Sequence, residues 1–287
     1  MIKNIFSKDK TAYSFEVFPP KKQEDIYDIY KTLDTLKTLH PDFISVTYGA
    51  GGSNSKKTAS IASYIKNICE IEAIAHLTAV AMDKPFLLQF LDELKEKGVS
   101  NVLALRGDRP RDMSDEDYEN RTFMHASDII SLIHGHSEIC VAAACYPEIH
   151  PESMGRESDL EYLKLKVDTG VSFLITQMFF DNSKFYEFLD LARKHGINVP
   201  ISAGIMPITS AKQLGTSVSL SGTSVPQALS SLVARYADNP ADLRKAGIEY
   251  AAQQIEDLES NGVDGIHIYT MNNAETAVEI MKLLGRN

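Results

Sequence analysis

Three cysteines in 287 residues, Cys69, Cys140 and Cys145, are too few and too irregularly spaced to staple a fold. Their odd number and the lack of CxxC spacing argue against a disulfide framework or a zinc site, and they suit a reducing cytoplasm. Basic residues are also scarce: 39 acidic against 29 basic side chains leave a formal charge of −10. Gripping nucleic-acid phosphates needs a cationic surface, so this balance points to small-molecule chemistry without a nucleic-acid partner. No run approaches the roughly 18 apolar residues of a membrane span. Lys3, Lys8, Asp9 and Lys10 interrupt the apolar pieces that a secretory signal would need, and Gly285, Arg286 and Asn287 carry no lipidation signal. A soluble, cytoplasmic protein is expected.

What is present is alternation. Short β-rich runs near 12–18, 42–48, 72–80, 100–105, 139–145, 172–179, 199–205 and 264–270 are separated by amphipathic helical patterns, the first two near 23–39 and 54–69. Eight such units joined by right-handed crossovers predict an α/β fold, a (β/α)8 TIM barrel forming one domain over residues 1–287. An open doubly wound sheet would carry glycines at its first βα turn, where this chain has Pro19, Pro20 and Lys21. The seventh unit is irregular: residues 209–237 are rich in Ser, Thr and Gly, which suggests an insertion before the last strand. Asp238, Asn239 and Pro240 read as the start of a long helix, and Asn261 with Gly262 as its stop. Asp112, Asp115, Glu116, Asp117 and Glu119 read as a solvated polar loop after the fourth strand.

The first strand spends an apolar position on Glu16, just before the two prolines end it. Desolvation there predicts a raised pKa and a protonated carboxyl near neutral pH, the state of a general acid; a structural ion pair is the alternative. Barrel chemistry sits at strand C-terminal ends. There the sequence places Thr47 and Tyr48 with the Gly49–Gly52 run, His76 with Thr78, Arg106, Gly107 and Asp108, Tyr146 to Pro151, and Thr176 with Gln177. Asn54 stands where GxGxxG needs its third glycine, so the Gly49–Gly52 run reads first as a tight turn. His134 and His136 lack a nearby acid or cysteine, so a surface loop is expected and no metal site. His76 could be a satisfied core histidine or a ligand contact. Arg106 and Asp108 could grip an anion and a ring N–H, or simply pair with each other.

Taken in order, SFEVFPPK, SVTYGAGGS, AHLT, ALRGD, YPEIHPES, ITQMFFD, GIMPI and HIYTMN span nearly the whole chain and resemble the methylenetetrahydrofolate reductase family. The resemblance implies an FAD-containing barrel that uses NADH or NADPH to reduce methylenetetrahydrofolate to methyltetrahydrofolate, in two half-reactions with ping-pong kinetics. It makes Glu16 the acid that protonates folate N10, and Asp108 the acid that tunes the flavin and accepts pterin N–H groups. It assigns Thr47, His76, Arg106, Gly107, Asp108, Ala126, Tyr146, His150, Asp159 and Lys166 to the cofactor and Gln177 to the folate. Three positions depart from relatives: Ala211 and His125 replace aromatics, and Asn273 replaces an arginine. The resemblance also implies a homo-oligomer, dimer or tetramer, and, since the chain ends soon after its eighth unit, no C-terminal regulatory domain. Competing readings are a proline-dehydrogenase-like flavin barrel and a flavin- or folate-binding protein without turnover.

Overall fold

The structure is a computed structural model that describes residues 2–6, 10–20, 26–48, 55–80, 82–110, 112–136 and 138–286. The Gly49–Gly52 run lies outside these residues. Eight parallel strands close in sequence order: β1 (Ala12–Val17), β2 (Phe43–Val46), β3 (Glu72–Thr78), β4 (Asn101–Leu105), β5 (Cys140–Cys145), β6 (Phe173–Thr176), β7 (Ile201–Ile205) and β8 (Gly265–Tyr269). Pairing of Glu16 with Ser45 on one side and Tyr269 on the other completes the ring. The expected (β/α)8 barrel is therefore the observed fold.

Helices cover the outside: α1 (Ile26–Lys37), α2 (Ser55–Asn67), α3 (Lys84–Glu96), α4 (Asp115–Glu119), α5 (Ala126–His136), α6 (Arg156–Asp168), α7 (Asn182–Lys194), α8 (Ala211–Ser221), α9 (Gln227–Arg235), α10 (Pro240–Ser260) and α11 (Ala274–Leu283). Strand side chains alternate between two cores. Phe15, Val17, Ile44, Val46, Ala75 and Leu77 point outward to the helices and form the large cluster. Phe43, Ile74, Leu103, Cys140, Ala142, Phe173 and Ile175 fill the barrel interior, plugged from below by Ile2 of a short 3₁₀ helix, Ile2–Asn4. All three cysteines are buried and free.

Three local expectations are refined. Residues 209–237, read as irregular, form α8 and α9. Ser210 caps α8, and the hydroxyls of Thr216 and Ser221 turn back onto the carbonyls of Lys212 and Ser217 at 3.0 and 2.8 Å. Poor helix formers are accommodated because their own hydroxyls are satisfied along the helix. The acidic loop contains α4, capped by Ser114, whose hydroxyl accepts from the Asp117 amide at 3.0 Å. His134 and His136 belong to the last turn of α5, where imidazoles complement the helix dipole, not to a loop. Their Nε2 atoms meet Gly170 O at 2.9 Å and Asp92 Oδ1 at 3.0 Å. The long-helix reading holds: Asn239 caps α10 with Pro240 in its first turn, and Gly262 follows it at φ 72°. Among the described residues no helix is long and apolar enough to cross a membrane.

Candidate active site

The C-terminal mouth of the barrel is polar because several interior positions above the apolar plug carry serine, histidine or glutamate. Glu16 projects there with 19 % of its side chain exposed. Its Oε2 lies 3.4 Å from His76 Nε2 and 3.5 Å from His267 Nε2. Behind it, His267 Nδ1 is 2.7 Å from Ser14 Oγ, and Ser45 Oγ is 3.4 Å from His267 Nε2. Ser14, Ser45 and His267 are functional candidates that sequence reading passed over. Their signal is a polar residue at every second position of strands that otherwise read as apolar.

This surrounding overturns one expectation. Burial pushes the Glu16 carboxyl up, but the His267 hydrogen bond, the His76 and His267 imidazoles and the Ser45 hydroxyl outweigh it. The net direction is below the ordinary carboxylate value, so Glu16 rests ionised, not protonated. The price falls on His76, whose imidazole burial drives down to about 4 despite the pull of Glu16. His76 is thus neutral at pH 7, and its buried Nε2 lacks a hydrogen-bond partner among the described residues.

Tyr269 crosses the mouth next to this group. Its hydroxyl donates to Thr176 O at 2.7 Å, and its ring stands edge-on to His267 at 5.5 Å. The crossing requires Gly204, where a Cβ would lie 2.4 Å from Thr176 O and 2.8 Å from the Tyr269 hydroxyl. Burial raises the Tyr269 phenol well above its usual value, and the Glu16 charge adds to that.

Seven of the ten expected cofactor residues lie after β4, after β5 and on α6, while Thr47, His76 and Ala126 belong to the ends of β2 and β3 and the start of α5. Gly107 follows β4 at φ 81°, with its Cα so close to β3 that a Cβ would lie 2.7 Å from Thr78 Cβ. Arg106 does not pair with Asp108; its guanidinium takes both carboxylate oxygens of Glu152, at 2.9 Å between Nη2 and Oε1. Asp108 is exposed and acts on Tyr146, whose phenol is pushed up to about 12, first by burial and then by that charge. Tyr146 meets His150 edge-on at 4.6 Å. The His150 amide donates to Asp159 Oδ2 at 3.4 Å, and Asp159, in the first turn of α6, has its carboxyl raised by burial.

Lys166 donates to Ala144 O at 2.7 Å, and burial lowers its pKa, so its ammonium is committed to the barrel wall. Ala126 opens α5 at 9 % exposure. Thr47 follows β2 with its amide donating to Val17 O, and Gln177 follows β6 with its Oε1 on the Met178 amide.

The divergent positions have local roles. Asn273 caps α11, accepting from the Thr276 amide at 3.1 Å. His125 stacks on Tyr162 at 6.5 Å. Ala211 is the exposed first residue of α8, where nothing in the structure explains the absence of an aromatic.

Comparison with known proteins gives this arrangement a family. The family model described as methylenetetrahydrofolate reductase matches residues 1–285. The 5,10-methylenetetrahydrofolate reductase of Pectobacterium carotovorum subsp. carotovorum is 34 % identical over 95 % of this chain and 89 % of its own length. The Arabidopsis thaliana methylenetetrahydrofolate reductase (NADH) 1 is 33 % identical over 99 % of this chain, which spans 50 % of that longer protein. Among solved structures, a Clostridium thermocellum protein described as binding two copies of 5-methyl-5,6,7,8-tetrahydrofolic acid superposes with a TM-score of 0.63. It covers 99 % of this chain and 96 % of its own at 15 % identity, a likeness of fold alone. A family match over residues 1–285, with a relative 34 % identical over most of both chains, places this protein in the methylenetetrahydrofolate reductase family.

Proposed function

We propose that this chain is an FAD-dependent oxidoreductase that uses NADH or NADPH to reduce 5,10-methylenetetrahydrofolate to 5-methyltetrahydrofolate, feeding methionine synthesis. On this reading it works by ping-pong kinetics as a cytoplasmic homo-oligomer. The observation that carries the reading is Glu16, an ionisable acid at the barrel mouth 3.4–3.5 Å from two imidazoles, in a barrel whose β4 and β5 are followed by Arg106, Gly107, Asp108 and Tyr146.

The residues present fit a flavin. His76 offers a buried ring nitrogen without a hydrogen-bond partner among the described residues, Gly107 turns the chain closely against β3 at φ 81°, Arg106 supplies a planar cation and Tyr146 an aromatic edge. Thr47, His76, Arg106, Gly107, Asp108, Ala126, Tyr146, His150 and Asp159 would hold it, with Lys166 bracing the wall behind. When bound, FAD supplies the hydride that completes the methyl group.

The chain's own work is proton handling and placement. Glu16 gives a proton to the substrate nitrogen, opening the five-membered ring to an electrophilic iminium. Because it rests ionised, it must first take that proton up, and its partly exposed side chain at the mouth takes it from water. A substrate that displaces water from the mouth strengthens the burial effect and moves Glu16 toward its acid form. Asp108 accepts pterin N–H groups and disfavours extra negative charge nearby, while Gln177 orients the folate.

Anaerobic stopped-flow spectroscopy tests the proposal. NADH or NADPH should bleach a yellow protein, and methylenetetrahydrofolate should restore the colour. Colourless protein that cannot be reconstituted with FAD would overturn it, and proline oxidation without folate turnover would select the other flavin-barrel reading.

A further inference from the structure

The Arg106 guanidinium follows β4 on the proposed flavin side of the mouth, and three of its five N–H donors, the end-on fork among them, are already engaged. Nη1 and Nη2 grip the Glu152 carboxylate as a fork, and Nε donates to Gly107 O at 3.3 Å. A guanidinium fork has the geometry of one carboxylate or one phosphate edge, not of both at once.

Glu152 is built to let go. Its side chain is 63 % exposed, against 25 % for Arg106, so the carboxylate can rotate into water without being buried anywhere. Its backbone is held by other means: the Glu152 amide donates to His150 Nδ1 at 3.1 Å, and the Ser153 amide donates to His150 O at 2.8 Å. Release of the carboxylate therefore leaves the loop bearing His150 in place. Arg121 also attracts the Glu152 carboxyl, whose pKa is held down first by Arg106, so it is charged at neutral pH.

We propose that Glu152 is an intramolecular competitor for the anion site on Arg106, occupying the guanidinium while the site is open and yielding it to an anionic group of the cofactor. The inference rests on the flavin reading above. Its consequence is that Glu152 sets cofactor affinity: it keeps the arginine fork oriented at the mouth and weakens binding by the cost of breaking the pair.

The test is titration of the full-length chain with FAD, followed by flavin fluorescence at low ionic strength. Glu152→Gln should bind FAD about 2- to 5-fold more tightly than wild type, the range set by an exposed ion pair. In an Arg106→Gln background, where the fork is gone, the same substitution should bring no gain. Wild type that binds FAD while Glu152→Gln binds it equally or more weakly overturns the inference and leaves the flavin reading standing. A gain that persists undiminished without Arg106 also overturns it, since it would then be a general effect of charge. Failure of every form to bind FAD removes the flavin reading and this inference together.

Discussion

Glu16 is a carboxylate whose environment sets burial against three polar neighbours, and the neighbours prevail. If it is the proton donor, Glu16→Gln keeps the shape and loses the acid. The folate half-reaction should then fall by about 10²–10⁴-fold while reduction of the flavin by NADH is largely preserved. Stopped-flow measurement of each half-reaction separates the two, and equal loss in both would reject the role. His76 makes a prediction about stability. Its folded pKa, about 4, lies below its ordinary 6.5, so the unfolded chain binds more protons in that window and stability falls as pH drops from about 6.5 toward 4. The loss amounts to about 3 kcal/mol. Urea unfolding across that pH range should show the slope in wild type and a flatter profile in His76→Asn. At Asp108, substitution by Asn should shift the flavin potential and weaken folate binding, and an unchanged potential in spectroelectrochemistry would count against the tuning role.

At the scale of elements, the end of β1 is held mainly from β8. Pro19 and Pro20 stop the strand, but its position is fixed by Thr270 Oγ1, which donates to Glu16 O at 2.6 Å, and by Asn272. The Asn272 side chain accepts from Phe18 N at 2.9 Å and donates to Phe18 O at 2.8 Å. Asn272 adopts φ 57°, which asparagine tolerates better than most side chains. Asn272→Gly, which frees the backbone and removes only the two hydrogen bonds, should cost about 1–2 kcal/mol and slow the folate half-reaction more than flavin reduction. Asn272→Ala should cost more, because it adds left-handed strain. Chemical denaturation beside the two half-reactions checks both. None of this was visible in sequence, because Phe18 and Asn272 are 254 positions apart. The helices α8 and α9 were missed for a different reason: their composition is that of a loop, and the hydroxyl contacts that satisfy it form only once the helix exists.

For the molecule as a whole, a closed barrel needs its lower end filled. Ile2 is fully buried against Phe43, Ile74, Leu103 and Phe173, and its amide donates to Asn101 Oδ1 at 3.0 Å. Ile2→Ala should lower global stability by about 2–4 kcal/mol without touching the mouth, giving a reduced urea midpoint with half-reactions unchanged below the transition.

The barrel and its strand order were legible in sequence because period-two and helical patterning are local properties, and eight alternating units leave few ways to pair. Glu16 was legible too, since a carboxylate within an apolar strand stands out by type. Its ionisation state was not. That depended on His76, His267 and Ser45, which chain closure brings to it from three other strands, and isolated burial predicts the opposite sign. The same holds for Arg106: its chemistry is written in the sequence, but its choice of Glu152 over Asp108 is a matter of where two loops come to rest. Sequence by itself determined the eight strands, their order and the acid that reaches the mouth. Only the tertiary structure decided who their partners are, because hydrogen bonds and charge interactions act over a few ångströms, and that proximity is set by folding.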